Sequence, residues 1–358
     1  MKDISFLKSD LKKSRNETFG FEWGTPLFDN HGFFEEKDDQ ILIAGKPCSE
    51  WTKNHGLPLH IIYAPIMAKN IENFKNIFEK EYPKGKIRFA GKVNPHPSIF
   101  KMMARLGIGA DVASINEMKS ALKGGIDPFN IDVNGNAKSD ELIDQAVGRN
   151  MFFIADSYKE LLIINERAKA LNKKARAAIR VSGFKMSNVT DANVFTAGVW
   201  SKFGEHIDNI PDITRSLDKF EHIDFHGFHT HIGSQISEPD AYLEAIGRLL
   251  ELGHMMQRDG RKVKLLNIGG GFPVDYVNKK EWQYLKERVR TGYISSIEGD
   301  EADTFVWNNE LGGLGRNEQG KVDPGCWTGE RCIPNTRSIK CWKKSCREIL
   351  KFTAKICR

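Results

Sequence analysis

From about Leu57 onward, short apolar runs alternate with stretches whose apolar residues recur every three or four positions. The runs at 58–63, 87–92, 109–113, 130–134, 151–155, 175–181, 223–231 and 264–268 are dense in β-branched and apolar residues, as strands buried on both faces are. Between them, Ile99, Met102, Met103 and Leu106 keep i, i+3, i+4, i+7 spacing. Tyr242, Ala245, Ile246, Leu249 and Leu250 repeat it in a helix that can run to about Gly260. Strict strand–helix alternation predicts a parallel sheet, and this many units predict a closed (β/α)8 barrel.

Local signals agree with these boundaries. Gly107 and Gly109 bracket the end of the first barrel helix, and Gly124, Gly125 and Pro128 end the second. Ser114 opens that second helix with Glu117 three residues on, a capping box. After Pro273 the regularity degrades: 281–290 reads as helix, and 308–336, rich in Gly, Asn and Pro, reads as loop. The expected organisation is a lead-in segment at 1–56, the barrel at 57–310 and a loop-rich, basic, Cys-containing segment at 311–358.

Composition narrows the function classes. A chain of 358 residues can bury a large core. No apolar run approaches the roughly eighteen residues that span a bilayer, and Met1-Lys2-Asp3-Ile4 leads into a mixed charged segment rather than an apolar signal core. A cytoplasmic protein without a membrane partner is the expectation. The net charge of +6 is modest but uneven, because Arg337, Lys340, Lys343, Lys344, Arg347, Lys351, Lys355 and Arg358 face Glu348 alone. Such a run reads first as a solvated helix or tail, so no nucleic-acid partner is expected. Five of the six cysteines, Cys326, Cys332, Cys341, Cys346 and Cys357, fall late in the chain without a Cys-x-x-Cys pair. They read as free thiols, with no metal site.

Two features carry chemistry. Lys92, in Phe89-Ala90-Gly91-Lys92-Val93-Asn94, ends a predicted buried strand, where lost hydration lowers a lysine's pKa and suits it to condensing with a carbonyl. Gly269-Gly270-Gly271 follows another strand end, and a turn without Cβ atoms lets backbone N–H groups close on a phosphate. An aldehyde site and a phosphate site are the two ends of pyridoxal 5′-phosphate. His229 and His231 alternate on one strand and so face apart, which argues against a shared metal.

These motifs, with Gly107-Ile108-Gly109-Ala110-Asp111-Val112-Ala113-Ser114, Asn134-Gly135-Asn136-Ala137-Lys138-Ser139, Ser201-Lys202-Phe203-Gly204 and His229-Thr230-His231-Ile232-Gly233-Ser234-Gln235, resemble the group IV pyridoxal-phosphate-dependent decarboxylases. These are the ornithine, diaminopimelate and arginine decarboxylases, built on an alanine-racemase-like barrel. The resemblance covers about residues 57–275. It implies that Lys92 holds the cofactor as a Schiff base, that His231 stacks on its ring, and that Ser234 bonds its phosphate with Gly269, Gly270 and Gly271. It further implies that Asp111 lines the region near the lysine and that Arg180 supports the cofactor. Head-to-tail dimers are usual in that family, so a homodimer is implied too.

One part of the family pattern is missing. Relatives end their eighth strand with Glu-Pro-Gly-Arg, whose Glu pairs with the pyridine nitrogen, and continue into a β-rich domain. No such tetrapeptide occurs, and nothing after residue 275 resembles that domain. A substitute is Phe305-Val306-Trp307 as strand eight, with Glu310 as the pyridine partner and Arg316 nearby; the alternative is that 276–358 is an insertion or the end of a truncated frame. The resemblance implies decarboxylation of a basic or diamino acid, and the His-x-His-Ile-Gly-Ser-Gln segment resembles the diaminopimelate branch. Two other readings stand beside it: a truncated or non-catalytic barrel paralogue that binds a partner, and a racemase-like enzyme.

Overall fold

The computed structural model describes residues 34–38, 40–186, 195–236 and 239–272, and the chain divides into two compact units between Asn70 and Ile71. The first unit contains structure within the predicted lead-in. Strands β1 (Phe34–Lys37), β2 (Gln40–Ile43) and β3 (Lys46–Pro47) form an antiparallel sheet. Ala44 and Gly45, at φ 52° and 77°, make the two-residue turn between β2 and β3, the geometry that matches strand twist. Helix α1 (Cys48–His55) follows, and its Trp51 Nε1 donates to Ile43 O at 2.8 Å.

Residues 58–63 form no strand, contrary to the reading of their apolar pattern. Pro58 has no N–H to donate, and Leu57 and Ile62 stay 77% and 52% exposed. An apolar run becomes a strand only where a neighbouring backbone completes the ladder. Helix α2 (Ala64–Glu81) comes next in the chain.

The second unit is a parallel sheet with helical crossovers. Its strands are β4 (Arg88–Ala90), β5 (Gly109–Val112), β6 (Ile131–Val133), β7 (Phe152–Ala155), β8 (Ala175–Ser182), β10 (Ile223–His229) and β11 (Leu265–Asn267), hydrogen-bonded in that order. The short β9 (Glu205–His206) pairs with the end of β8. The crossovers carry helices α3 (Pro97–Arg105), α4 (Ile115–Lys123), α5 (Asp140–Gly148), α6 (Tyr158–Ala170), α7 (Ile210–Arg215) and α8 (Pro239–Arg258). Among the described residues the sheet is open, with β4 and β11 at its edges, so the observed architecture is a partial (β/α)8 barrel. The proposed strand eight, Glu310, the helix at 281–290 and the basic, Cys-containing segment lie outside the described residues. No described helix is long and apolar enough to cross a membrane.

The core follows from period-two alternation. Phe153, Ala177, Ile179, Val181 and Phe228 are buried on one set of positions, while Phe152, Ile154 and Ala178 cluster with Leu265 on the other. The helical stripe predicted for α8 is found, with Tyr242, Ala245, Ile246, Leu249 and Leu250 buried, whereas in α3 Ile99 and Met103 are buried together with Phe100, while Met102 and Leu106 stay half-buried. Each fully buried Phe or Ile contributes about 2 kcal/mol of hydrophobic stabilisation. Three helices begin on a serine whose Oγ accepts the N–H three residues on: Ser114 from Glu117, Ser139 from Leu142 and Ser157 from Glu160. Glu117 and Glu160 each reach back to the residue before the cap, taking the N–H of Ala113 at 2.9 Å and of Asp156 at 2.7 Å. Helix starts are thereby fixed directly beside the ends of β5 and β7.

Candidate active site

In a parallel sheet of this type every strand ends on the same side, and the loops that follow converge there. That rim carries almost all the residues singled out from sequence. Lys92 lies in the turn Gly91–Val93 that follows β4. Gly91 packs closely in that turn: a Cβ there would lie 3.1 Å from Asp111 O and 3.2 Å from Glu117 Oε2, so a larger residue would push these neighbours back by a few tenths of an ångström. Lys92 itself is exposed, not desolvated as its place after an apolar strand suggests. The strand stops at Ala90, and its three residues are themselves only half-buried at what is, among the described residues, an edge of the sheet.

Asp111 sits on β5 opposite Ala90 and Asp132. Its Oδ2 accepts from Asn134 Nδ2 at 3.0 Å. Burial raises its pKa to about 6; the Asp132 carboxylate pushes the same way, while the Asn134 bond and the charges of Lys92 and Lys138 pull against it. Lys92 acts on His231 as well. Burial, then the positive charges of Lys92 and Arg180, lower the His231 pKa to about 4. Lys92, Asp111, Arg180 and His231 therefore share one electrostatic environment.

The glycine turn packs against the segment that bears His231. Thr230 N donates to Asn267 O at 2.9 Å, and Ile236 N donates to Gly271 O at 3.0 Å. Gly269 and Gly271 adopt φ of 70° and 88°. A Cβ on Gly269 would meet Thr230 O at 2.5 Å, and one on Gly271 would meet Gly233 O at 1.7 Å. Gly270 differs, since a Cβ there would have nothing within 4 Å. Two of the three glycine amides are already engaged: Gly269 N donates to Asn267 Oδ1 at 2.9 Å and Gly270 N to His231 Nδ1 at 3.3 Å. The second bond makes Nδ1 an acceptor, so neutral His231 carries its proton on Nε2. Ser234 is exposed beside this turn.

Arg180 is buried near the end of β8, with Asp156 Oδ1 at 3.8 Å from Nη1 and the Phe203 ring 4.6 Å from its guanidinium carbon. His229 is its register partner on β10. That histidine is fully buried, and burial followed by the Arg180 charge holds its pKa well below the usual histidine range. Among the described residues neither His229 Nδ1 nor Asp156 Oδ1 has a hydrogen-bond partner. The structure thus assembles Lys92, Asp111, Arg180, His231, Ser234 and Gly269–Gly271 on one rim.

Sequence reading missed four participants: Asn134, Lys138, Asp156 and Glu160. Asn134 and Lys138 fall inside a motif already singled out, yet no role followed from it. The Ser157-x-x-Glu160 box repeats the Ser114-x-x-Glu117 signal and was open to the same inference.

The two perturbed groups oppose each other in their effect on stability. His231, at about 4 against 6.5, leaves the unfolded chain binding more protons, so its contribution rises with pH between 4 and 6.5. Asp111, at about 6 against 3.8, leaves the folded chain binding more protons, so its contribution falls as pH rises from 3.8 to 6. The Asp111→Asn variant is expected to show unfolding free energies that climb more steeply with pH across this window than the parent's. Urea denaturation of both proteins at several pH values measures it; equal slopes would contradict the burial assigned to Asp111.

Known proteins show the same chain segment. Residues 68–298 match the family model described as pyridoxal-dependent decarboxylase, pyridoxal binding domain. The chain is 33% identical to the diaminopimelate decarboxylase of Aquifex aeolicus over 68% of its own length and 57% of the relative's. To the Methanocaldococcus jannaschii diaminopimelate decarboxylase it is 28% identical, over 71% of this chain and 60% of the relative. It spans, then, about three fifths of the length of these curated relatives. A crystal structure of the M. jannaschii enzyme superposes with TM-score 0.59 at 26% identity, covering 68% of this chain and 57% of that one. The Helicobacter pylori diaminopimelate decarboxylase complexed with L-lysine superposes with TM-score 0.51 at 27% identity, covering 62% and 58%.

Proposed function

The chain belongs to the pyridoxal-dependent decarboxylases through their pyridoxal-binding domain, and on that premise we propose that it holds pyridoxal 5′-phosphate at the strand-end rim and decarboxylates a diamino acid of the diaminopimelate type. The observation that carries the reading is the shared environment of Lys92, Asp111, Arg180 and His231 beside a glycine turn with an open position at Gly270.

The residues present fit the cofactor. When bound, pyridoxal 5′-phosphate supplies an aldehyde that condenses with amines and a ring that accepts electrons from an α-carbon. Lys92 is an exposed amine at the rim and would attach to the aldehyde. Neutral His231, fixed by Gly270 N–H, would hold a flat ring against its face. With the amides of Gly269 and Gly270 engaged, Gly271 N–H and the Ser234 hydroxyl are the donors of this turn left for a phosphate among the described residues. The glycines therefore act first by letting two backbone segments touch. Asp111 is held by Asn134 through Oδ2, and its pKa of about 6 lets it keep a proton near that pH or release it above. Arg180 keeps a buried positive charge at the same rim. Glu310, read from sequence as the partner of the pyridine nitrogen, lies outside the described residues.

The diaminopimelate assignment rests on the His229-x-His231-Ile232-Gly233-Ser234-Gln235 resemblance and on the names of the relatives. Carbon dioxide release from diaminopimelate, lysine, ornithine and arginine tests it. Diaminopimelate is expected to react fastest. Tight cofactor binding with no release from any of the four would replace the enzyme reading with that of a cofactor-binding protein. A second expectation follows from the open space at Gly270. Gly270→Ala should fold like the parent yet lose roughly tenfold in affinity for pyridoxal 5′-phosphate, about 1.4 kcal/mol, with little change for unphosphorylated pyridoxal. Equilibrium dialysis with both compounds reads this, and equal affinities in parent and variant would move the phosphate elsewhere.

A further inference from the structure

The rim contains a buried cation that this chemistry does not use. The side chain of Lys138, just after β6, is 0% exposed. A buried ammonium is costly unless every N–H finds an acceptor. Lys138 has three: Gly135 O at 2.6 Å, Ile154 O at 2.8 Å and Glu160 Oε2 at 2.7 Å. They belong to the loop after β6, to β7 and to the first turn of α6, so one side chain ties three segments together.

Two lines of contact lead outward from it. On one side, Gly135 N donates to Asn134 Oδ1 at 2.8 Å, and Asn134 Nδ2 donates to Asp111 Oδ2 at 3.0 Å. On the other, Glu160 Oε2 also takes the Asp156 N–H at 2.7 Å, and the Asp156 carboxylate lies 3.8 Å from Arg180. One line ends on Asp111 and the other on Arg180.

We propose that Lys138 is the positioning residue of this site: it fixes Asp111 through Asn134, and Arg180 through Glu160 and Asp156, without itself touching the cofactor. The inference rests on the reading of the rim as the cofactor site. The electrostatics run the same way. Lys138, Lys92 and Arg180 are the cations acting around Asp111, with Asp132 the opposing anion. Removing the Lys138 charge leaves ionised Asp111 less well supported, so its protonation moves to higher pH.

A purely structural ion pair predicts something different. Replacing both members of a buried pair by apolar side chains of similar size is often neutral or stabilising. The double variant Lys138→Met, Glu160→Met is therefore the test, with thermal unfolding, pyridoxal 5′-phosphate affinity and the pH profile of that affinity measured on the full chain. The expected result is a retained melting transition, an affinity lowered about ten- to a hundredfold, as for outer partners that orient a site, and an acidic limb of the pH profile displaced upward. Asn134→Ala, which cuts the line to Asp111 and retains the Lys138 ammonium with its three acceptors, is expected to displace that limb in the same direction and keeps the test open if the double variant does not fold. Parent-like affinity and pH profile in the folded variants would overturn the inference and leave Lys138 a structural residue. A parent chain that binds no cofactor would instead overturn the reading of the rim, and with it this inference.

Discussion

Lys92→Ala is expected to lose carbon dioxide release completely and to shed pyridoxal 5′-phosphate during gel filtration, while unfolding like the parent. The fold is spared because Lys92 is exposed in a short turn, where substitutions usually change stability by no more than about 0.5 kcal/mol. The cofactor is lost because the amine that would hold its aldehyde is removed. Lys138 is the other lysine whose charge reaches Asp111, and it is buried with three acceptors engaged. Residual, reversible affinity is expected from His231 and the glycine turn. Retained turnover in Lys92→Ala would remove this residue from the chemistry and with it the present assignment of the rim.

Gly271→Ala is the second large effect, and it strikes the fold itself. The residue sits at φ 88°, and an added Cβ would lie 1.7 Å from Gly233 O and 2.8 Å from Gly233 C. Those atoms are backbone, so no side-chain rotation relieves the clash. The contact between the turn and the His231 segment must open, breaking the bond from Ile236 N to Gly271 O. A loss of about 3 kcal/mol or more is expected, in the range reserved for strain and overpacking. Chemical denaturation of Gly271→Ala beside Gly270→Ala separates the two roles. The first should be unstable, and the second stable but weakened toward phosphate. Equal stability of the pair would contradict the packing described for Gly271.

Much of the barrel was legible because burial imposes simple periods. The β-branched and apolar runs that became β4–β8, β10 and β11 sit between amphipathic helices, and their pattern carries the topology without any pairing information. The run at 58–63 shows the limit. Its composition suits a strand, but a ladder needs a partner backbone, and Pro58 gives up a donor at the start. The three-stranded sheet at 34–47 left little trace, since strands of two to four residues are too short for a period to show.

The site was legible in its ends and not in its middle. Lys92, His231 and the glycines carry unusual chemistry at strand ends, and the family resemblance named them together with Asp111, Arg180 and Ser234. What the glycines do locally differs from the phosphate-cradle picture. Close packing of two backbones explains Gly269 and Gly271, and that constraint depends on a segment almost forty residues earlier in the chain. Lys138 was passed over for a similar reason. A lysine in sequence reads as surface, and only the coincidence of three acceptors from different segments makes burial affordable. The exposure of Lys92 ran against expectation in the opposite sense, because the turn after β4 could not be seen in an apolar run.

The central claim is that this rim binds pyridoxal 5′-phosphate through Lys92. Incubating the full chain with the cofactor, reducing with borohydride and mapping the modified peptide by mass spectrometry tests it most directly. A single reduced pyridoxyl group on Lys92 is the predicted result. A label spread over exposed lysines elsewhere, or no label despite a folded protein, would contradict it.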